Sequence, residues 1–194
     1  MIDYKSLKTK NLKEMNPESI RPFCSLGCGG PLYKINEKPK FEGGQIAKFA
    51  WANTATLESW YTRISTKPGR IQHEHDICKY LYDNDINVPE PFGVFKFKIF
   101  NDKWRKFGIF PRRFPAFVMQ YINGTSTGPE DCPEETQRAI DQAFSVELEK
   151  VKALDVIPSD HRLGNAIWVP EEKKLYLLDF EQWRFPGESL SDFL

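Results

Sequence analysis

Residues Ser159 to Val169 read SDHRLGNAIWV, and residues Leu175 to Glu181 read LYLLDFE. A polar, glycine-containing loop leads into an apolar strand, a turn and a second apolar strand, which is the pattern of a β-hairpin. Asp160 and Asn165 stand five positions apart in the loop, and Asp179 follows the second strand. The hairpin therefore predicts a site that brings two carboxylates and one carboxamide together.

These three side chains suit the transfer of a phosphoryl group, a reaction that depends mainly on positioning and on neutralising charge. Asp160 can accept the proton of an attacking hydroxyl, and the oxygens of Asn165 and Asp179 are ligands that Mg²⁺ prefers. The alternative is that each residue merely caps a turn, as Asp and Asn often do. Asp179 argues against this alternative, because an uncompensated charge at the end of a buried strand is unfavourable.

Composition narrows the class of protein. A chain of 194 residues fits one domain, or two small lobes that share a cleft. Lys plus Arg and Asp plus Glu number 27 each, so the overall charge favours neither nucleic acid nor an anionic membrane as a partner. No apolar run approaches the roughly 18 to 20 residues of a membrane helix, and the N-terminus has no apolar signal region. We expect a cytoplasmic protein.

Cysteine and histidine spacing does not indicate a zinc site. His73 and His75 lie two positions apart, which on a helix points them to different faces. The sequence therefore predicts reduced cysteines, solvated histidines and no metal site built from protein side chains alone. The four cysteines are Cys24, Cys28, Cys78 and Cys132.

The first half of the chain is typical of an antiparallel meander that follows a Lys-rich extension over residues 1–20. Glycine turns separate three short apolar runs, and two further strands are predicted after residue 90. The predicted strands are Phe23–Leu26, Leu32–Ile35, Gln45–Ala50, Phe92–Phe100 and Phe114–Ile122.

Two charged residues of this half occupy positions predicted to face inward. Apolar residues at helical spacing predict a helix over about Arg70 to Tyr82, and Glu74 falls on the same stripe. Lys48 lies in the middle of the apolar run Gln45–Ala50. Each residue alone is more often a solvated surface residue. Because a buried charge needs a partner, the two together indicate an ion pair.

The second half begins with a strongly periodic helix near Pro133, whose first turn holds Glu134 and Glu135, where the helix dipole favours acidic residues. Its apolar stripe continues to Leu154 and is interpreted as core packing. The predicted core comprises Ile46, Ile77, Leu81, Val118, Phe144, Leu148, Val151, Ile167 and Leu177.

The order of these features resembles the protein-kinase-like superfamily. The family has a Gly-rich loop, a strand lysine, a helix glutamate, a hinge strand, an Asp-x-x-x-x-Asn loop and an Asp-Phe dipeptide. The matching segments are LGCGGPLYK from Leu26 to Lys34, Lys48, Glu74, FVMQYING from Phe117 to Gly124, Asp160, Asn165 and Asp179.

The resemblance implies an α+β, two-lobed fold. Residues 21–124 would form an antiparallel-sheet N-lobe, and residues 125–194 would form a reduced, mainly helical C-lobe. ATP and Mg²⁺ are the implied cofactors, with Mg²⁺ on Asn165 and Asp179 and with catalytic roles for Asp160, Lys48 and Glu74. The implied nucleotide-binding residues are Gly27, Gly29, Gly30, Lys48, Met119, Gln120 and Tyr121.

Finer features are similar to the aminoglycoside/choline kinase branch, namely Val88-Pro89 after the helix and Phe180-Glu181 after Asp179. Pro158 stands where the family carries its catalytic-loop histidine, and the Gly-rich loop is shorter by about two residues. The chain ends shortly after Asp179, in compactness similar to Rio-type and KEOPS-type kinases. This implies a protein partner that completes the small C-lobe.

The sequence is therefore compatible with three functions. The first is an ATP- and Mg²⁺-dependent phosphotransferase acting on a hydroxyl of a small molecule or of a protein Ser or Thr. The second is a pseudokinase-like module that binds a nucleotide or a partner without turnover. The third is an α+β domain whose carboxylates only cap turns.

Overall fold

A computed structural model describes residues 20–24, 32–35, 45–49, 69–99, 112–126 and 133–189. The Lys-rich extension before residue 20 and the three loop glycines, Gly27, Gly29 and Gly30, lie outside the described residues. Within the described part of the chain, no helix combines the length and the apolar character that crossing a membrane requires.

A five-stranded sheet forms the first half of the fold. Its strands are β1 Ile20–Cys24, β2 Leu32–Ile35, β3 Gln45–Phe49, β4 Pro91–Ile99 and β5 Arg112–Gln120. They lie in the order β1-β2-β3-β5-β4, and every neighbouring pair is antiparallel, as predicted. The first strand begins earlier than expected, because it pairs with β2 from Ile20 onward.

Helix α1 spans Gly69–Asp83 and contacts β4 and β5. Its bounds agree with the prediction to within one residue at each end, and Asp85 turns the chain with a φ of 59°. Ile77, Leu81 and Glu74 are all buried, so the carboxylate lies on the apolar face as expected. The prediction of solvated histidines is wrong for His73, which is buried because its imidazole finds a main-chain acceptor.

The described residues of the second half form one long helix and a small antiparallel sheet, whose three strands lie side by side in chain order. The helix begins directly after Pro133, with acidic residues in its first turn and Lys150 and Lys152 in its last, which complements the helix dipole. The elements are β6 Thr125–Ser126, α2 Glu134–Ala153, a 3₁₀ turn Leu163–Asn165, β7 Ala166–Val169 and β8 Lys174–Leu177.

One hydrophobic cluster joins the large sheet, both helices and the β7–β8 hairpin. Most of the predicted core residues are buried, but Phe144 and Ile167 are only half-buried. Ile167 alternates along β7 with Ala166 and Trp168, which are buried, so its side chain points to the other face of that strand. Phe144 packs against the cluster without being enclosed by it.

Candidate active site

Lys48 and Glu74 form the buried ion pair that the sequence predicts. Lys48 lies on the central strand β3 and Glu74 on α1, and Lys48 Nζ is 2.7 Å from Glu74 Oε1. Their side chains are 6% and 1% exposed. The β3–β5 register places Lys48 opposite Phe117 and Ile46 opposite Met119, so these residues share the face of the sheet that meets α1. Packing of α1 on the sheet thus brings the two charges together.

Asp179 completes a cluster of three charged side chains. Its Oδ1 lies 2.5 Å from Lys48 Nζ, although the two residues are 131 positions apart in the sequence. The main-chain N–H of the next residue, Phe180, donates to Glu74 Oε1 over 3.2 Å. Asp179 is 27% exposed, in contrast to its two partners, so this carboxylate lies at the edge of the cluster that solvent can reach.

Burial and neighbouring charges shift the pKa values of Lys48 and Glu74. Burial alone would lower the pKa of Lys48, but the nearby carboxylates, Glu74 first, raise it above its ordinary value. Burial also raises the pKa of Glu74, against the opposing effect of Lys48. Glu74 Oε2 is buried, and among the described residues no hydrogen-bond partner reaches it. The lysine is therefore firmly held as a cation, while its inner partner carries a desolvated oxygen.

Glu181 is a member of this environment that the sequence analysis did not place in the site. Burial raises its pKa to about 7, with Glu74 and Asp179 adding to the rise while Lys48 and Arg70 oppose it. The sequence could have indicated this, because Glu181 lies two residues after Asp179 and a carboxylate that close to a buried ion cluster experiences the cluster's electrostatic field. The structure thus adds a titrating group at the edge of the candidate site.

The Asp160 loop is organised by main-chain hydrogen bonds. Asn165 Nδ2 donates to the main-chain oxygen of Asp160 over 2.9 Å, and Asn165 N donates to the carbonyl of Arg162 over 2.8 Å. Asp160 adopts a φ of 51°, a left-handed conformation that Asp and Asn tolerate better than most residues. Its carboxylate is exposed, 3.6 Å from Arg162 Nε. The loop therefore presents this carboxylate to solvent.

A main-chain bond links this loop to the ion cluster. Leu178 N donates to the carbonyl of Asn165 over 2.8 Å, so the residue before Asp179 is tied to Asn165. Lys48 occupies one carboxylate oxygen of Asp179, which leaves Oδ2, and Asn165 uses its amide nitrogen, which leaves Oδ1. Two hard oxygen donors fit Mg²⁺, and the remaining ligands of an octahedral ion would come from phosphates and water.

The three nucleotide-binding residues implied for the hinge segment follow one another where β5 ends. Met119 is buried and Tyr121 is half-buried. Gln120 is engaged with Glu90, because Gln120 N donates to the Glu90 carbonyl over 2.9 Å and Glu90 N donates to Gln120 Oε1 over 3.3 Å. These bonds fix the path of the chain where the large sheet leads into β6.

No protein-family model matches the chain, and no curated protein matches it either. Similarity is found among solved structures. The Rio2 kinase from Chaetomium thermophilum, solved as an ADP/Mg²⁺-phosphoaspartate complex, has a TM-score of 0.56 and 13% identity, over 88% of this chain and 50% of that chain. The Cydia pomonella granulovirus kinase PK-1 has a TM-score of 0.49 and 15% identity, over 88% of this chain and 56% of that chain.

The likeness to the Rio2 kinase shows the fold alone, and that fold is protein-kinase-like. Among the described residues, the antiparallel sheet and α1 correspond to the α+β N-lobe predicted from the sequence, and the 20-residue helix α2 belongs to the part that follows. The chain spans about half the length of the two kinases to which it is similar.

Proposed function

We propose that the protein is an ATP- and Mg²⁺-dependent phosphotransferase that acts on a hydroxyl group. The observation that carries the proposal is the contact of Lys48 with both Glu74 and Asp179, residues that come from a strand, a helix and the end of a hairpin. A lysine held by one buried carboxylate beside a second, more exposed one can bind an anion that carries its own metal ion.

Each residue then has one task. Glu74 fixes the Lys48 ammonium group, which binds the phosphates of the nucleotide. Asn165 Oδ1 and Asp179 Oδ2 would hold Mg²⁺, which neutralises charge on the phosphates when it is bound. Asp160 accepts the proton of the acceptor hydroxyl, a role that its exposure to solvent supports.

Gly27, Gly29 and Gly30 would cover the phosphates, and Met119, Gln120 and Tyr121 would contact the base. The branch and the acceptor are finer proposals. Val88-Pro89 and Phe180-Glu181 favour the aminoglycoside/choline kinase-like branch and hence a small hydroxylated acceptor, with a protein Ser or Thr as the alternative. A protein partner that completes the C-lobe, and a location in the cytoplasm, belong to the same proposal.

One contact favours a second candidate function, a pseudokinase-like binding module without turnover. Lys48 and Asp179 satisfy each other's charge directly at 2.5 Å, which lets the cluster persist without any ligand. Pro158, at the position of the family's histidine, points in the same direction. Such a module would show little or no thermal shift with Mg²⁺ and ATP, or a thermal shift without transfer or hydrolysis.

The test is ATP turnover in the presence of Mg²⁺ by the native protein and by Asp179→Ala. We expect turnover to fall about a hundredfold or more, because the variant removes a ligand of the metal. Asp85→Ala is the matched control, since exposed Asp85 has a φ of 59° and Asp179 one of 64°, so both variants place alanine in a left-handed conformation. Native turnover that survives Asp179→Ala unchanged would refute the metal role.

A further inference from the structure

The segment that follows Asp179 is fixed to α1 by two adjacent residues of that helix. His73 Nε2 lies 2.6 Å from the main-chain oxygen of Trp183, and Glu74 accepts the N–H of Phe180. A carbonyl oxygen can only accept, so Nε2 carries the hydrogen in this bond. His73 is 5% exposed, which makes the bond a buried one.

The segment is itself a compact turn. Trp183 N donates to the carbonyl of Phe180 over 3.0 Å, and the two aromatic rings meet edge to face with centroids 5.0 Å apart. Both side chains are buried in the core cluster. A shift of Trp183 is therefore transmitted directly to Phe180, the neighbour of Asp179.

The far end of the segment is bound to the chain just before the Asp160 loop. Ile157 N donates to the carbonyl of Arg184 over 2.9 Å, and Arg184 N donates to the carbonyl of Ile157 over 3.2 Å. Ile157 lies three positions before Asp160. Residues 180–184 thus connect helix α1 with the loop that carries the proposed base.

The bonds between Glu74 and Phe180 and between His73 and Trp183 differ in whether they share an atom with the ion cluster. Glu74 Oε1 is shared between the Phe180 N–H and the Lys48 ammonium group, so this anchor is coupled to the position of the lysine. The bond between His73 and Trp183 joins an imidazole nitrogen to a main-chain carbonyl, and neither atom belongs to Lys48, Glu74 or Asp179. It can hold the segment while Lys48 exchanges Asp179 for a phosphate.

Asp179 has a φ of 64°, in the left-handed region. Asp tolerates this conformation better than most residues, but it still costs free energy, so bonds that hold the following segment favour it. We propose that His73 is a positioning residue, which orients Asp179 for metal binding through the Trp183 carbonyl. The inference rests on the proposed function and adds to it a residue that touches neither nucleotide nor metal.

The experiment compares the Mg²⁺ dependence of ATP turnover, the affinity for ATP without metal, and hydrogen exchange of residues 180–184. His73→Leu removes the donor and leaves the buried Trp183 carbonyl unsatisfied. Because partners that orient metal ligands are worth about tenfold to a hundredfold in metal affinity, we expect half-saturation to need about ten times more Mg²⁺. Exchange in the segment should accelerate, and ATP affinity without metal should change by less than about twofold.

Two further variants of His73 distinguish a role in positioning Asp179 from a contribution to the stability of the fold. His73→Gln keeps an N–H donor near the place of Nε2 and should restore half-saturation to within about threefold of the native value. His73→Asn is a shorter amide that does not reach the carbonyl and should behave like His73→Leu, which keeps the test open if the leucine variant fails to fold. Ile77→Val, in the same helix, is a control for lost stability and should leave the Mg²⁺ dependence unchanged.

The outcomes distinguish this inference from the function on which it rests. A native protein that shows no response to ATP with Mg²⁺ refutes the proposed function and the role of His73 with it. A native protein that turns over ATP, together with a His73→Leu variant that half-saturates at the native Mg²⁺ concentration, refutes the inference alone. Equal losses in Ile77→Val and His73→Leu would also overturn it.

Discussion

Charged residues of the candidate site lie in two contrasting settings. Lys48 and Glu74 are enclosed between the central strand and α1, with side chains 6% and 1% exposed. Asp160 lies in an exposed loop, where Asn165 donates to its main-chain oxygen and, among the described residues, its carboxylate has only an exposed partner, Arg162, 3.6 Å away. A substitution in the first setting should change both function and the stability of the fold, whereas a substitution in the second should change function alone.

The difference follows from what desolvation does to a charge. A buried ion pair loses its hydration, so removal of one partner leaves an uncompensated charge that destabilises the folded state. An exposed carboxylate keeps its hydration, and its replacement changes only the chemistry that it performs. Asp179 stands between the two settings, because one of its oxygens binds the buried lysine while its side chain is 27% exposed.

Lys48→Met should have the largest effect, since it acts on both function and stability. We expect turnover to fall by about a hundredfold to a thousandfold, because the phosphates lose their cation. The free energy of unfolding should fall by about 3 kcal/mol, because Glu74 is left buried without its partner. Turnover and urea unfolding measure the two effects. Lys79→Met is the matched control, because it breaks an exposed pair with Asp83 that contributes about 0 to 1 kcal/mol.

The double variant Lys48→Met/Glu74→Gln sharpens this result. Glutamine removes the orphaned charge and still offers an oxygen to the Phe180 N–H, so about 2 kcal/mol of the lost stability should return while turnover stays low. If the loss of stability in the double variant equals the sum of the losses in Lys48→Met and in Glu74→Gln, the two residues are not energetically coupled. The contrast with the exposed loop would then be wrong.

Asp160→Asn should lower turnover by about a hundredfold without changing stability by more than about 0.5 kcal/mol. Asparagine tolerates the left-handed backbone at this position and lacks only the basic oxygen. Asp155→Asn is the control, since exposed Asp155 adopts a φ of 57° in the loop after α2. A large loss of stability in Asp160→Asn would show that this loop also depends on its charge.

The sequence predicted which two charged residues are buried together, but it did not predict all of their contacts. Apolar periodicity and the cost of burying a charge were sufficient to pair Lys48 with Glu74, and the pair is present. The direct contact of Lys48 with Asp179 depends on how the hairpin packs into the hydrophobic cluster that it shares with the large sheet, which periodicity does not encode. The hairpin residues were predicted as a group, and the 3₁₀ turn that orients Asn165 was not.

The histidine prediction failed for a related reason. A polar residue is expected to be solvated unless its partner can be named, and the partner of His73 is a main-chain oxygen 110 positions away. Main-chain acceptors carry no sequence signature. Glu181 was noticed only as part of a family dipeptide, because its environment is created by residues that the fold brings together.

Substitution of Glu181 should have the smallest effect, a pH-dependent change in stability, which shows whether this residue belongs to the buried or to the exposed setting. Its pKa is about 7 in the folded protein against 4.5 ordinarily, so the folded state binds its proton more tightly than the unfolded state. Its contribution to stability is complete below about pH 4.5 and is lost as the pH rises to about 7. Glu181→Gln should therefore unfold at a higher urea concentration than the native protein at pH 8, with the advantage shrinking as the pH approaches 4.5. Urea unfolding at pH 5, 6, 7 and 8 measures the difference in midpoint between Glu181→Gln and the native protein.

Glu149→Gln, a change of an exposed residue on α2, is the control and should show no such trend. A difference for Glu181→Gln that stays constant across this pH range would show that Glu181 is a solvated residue.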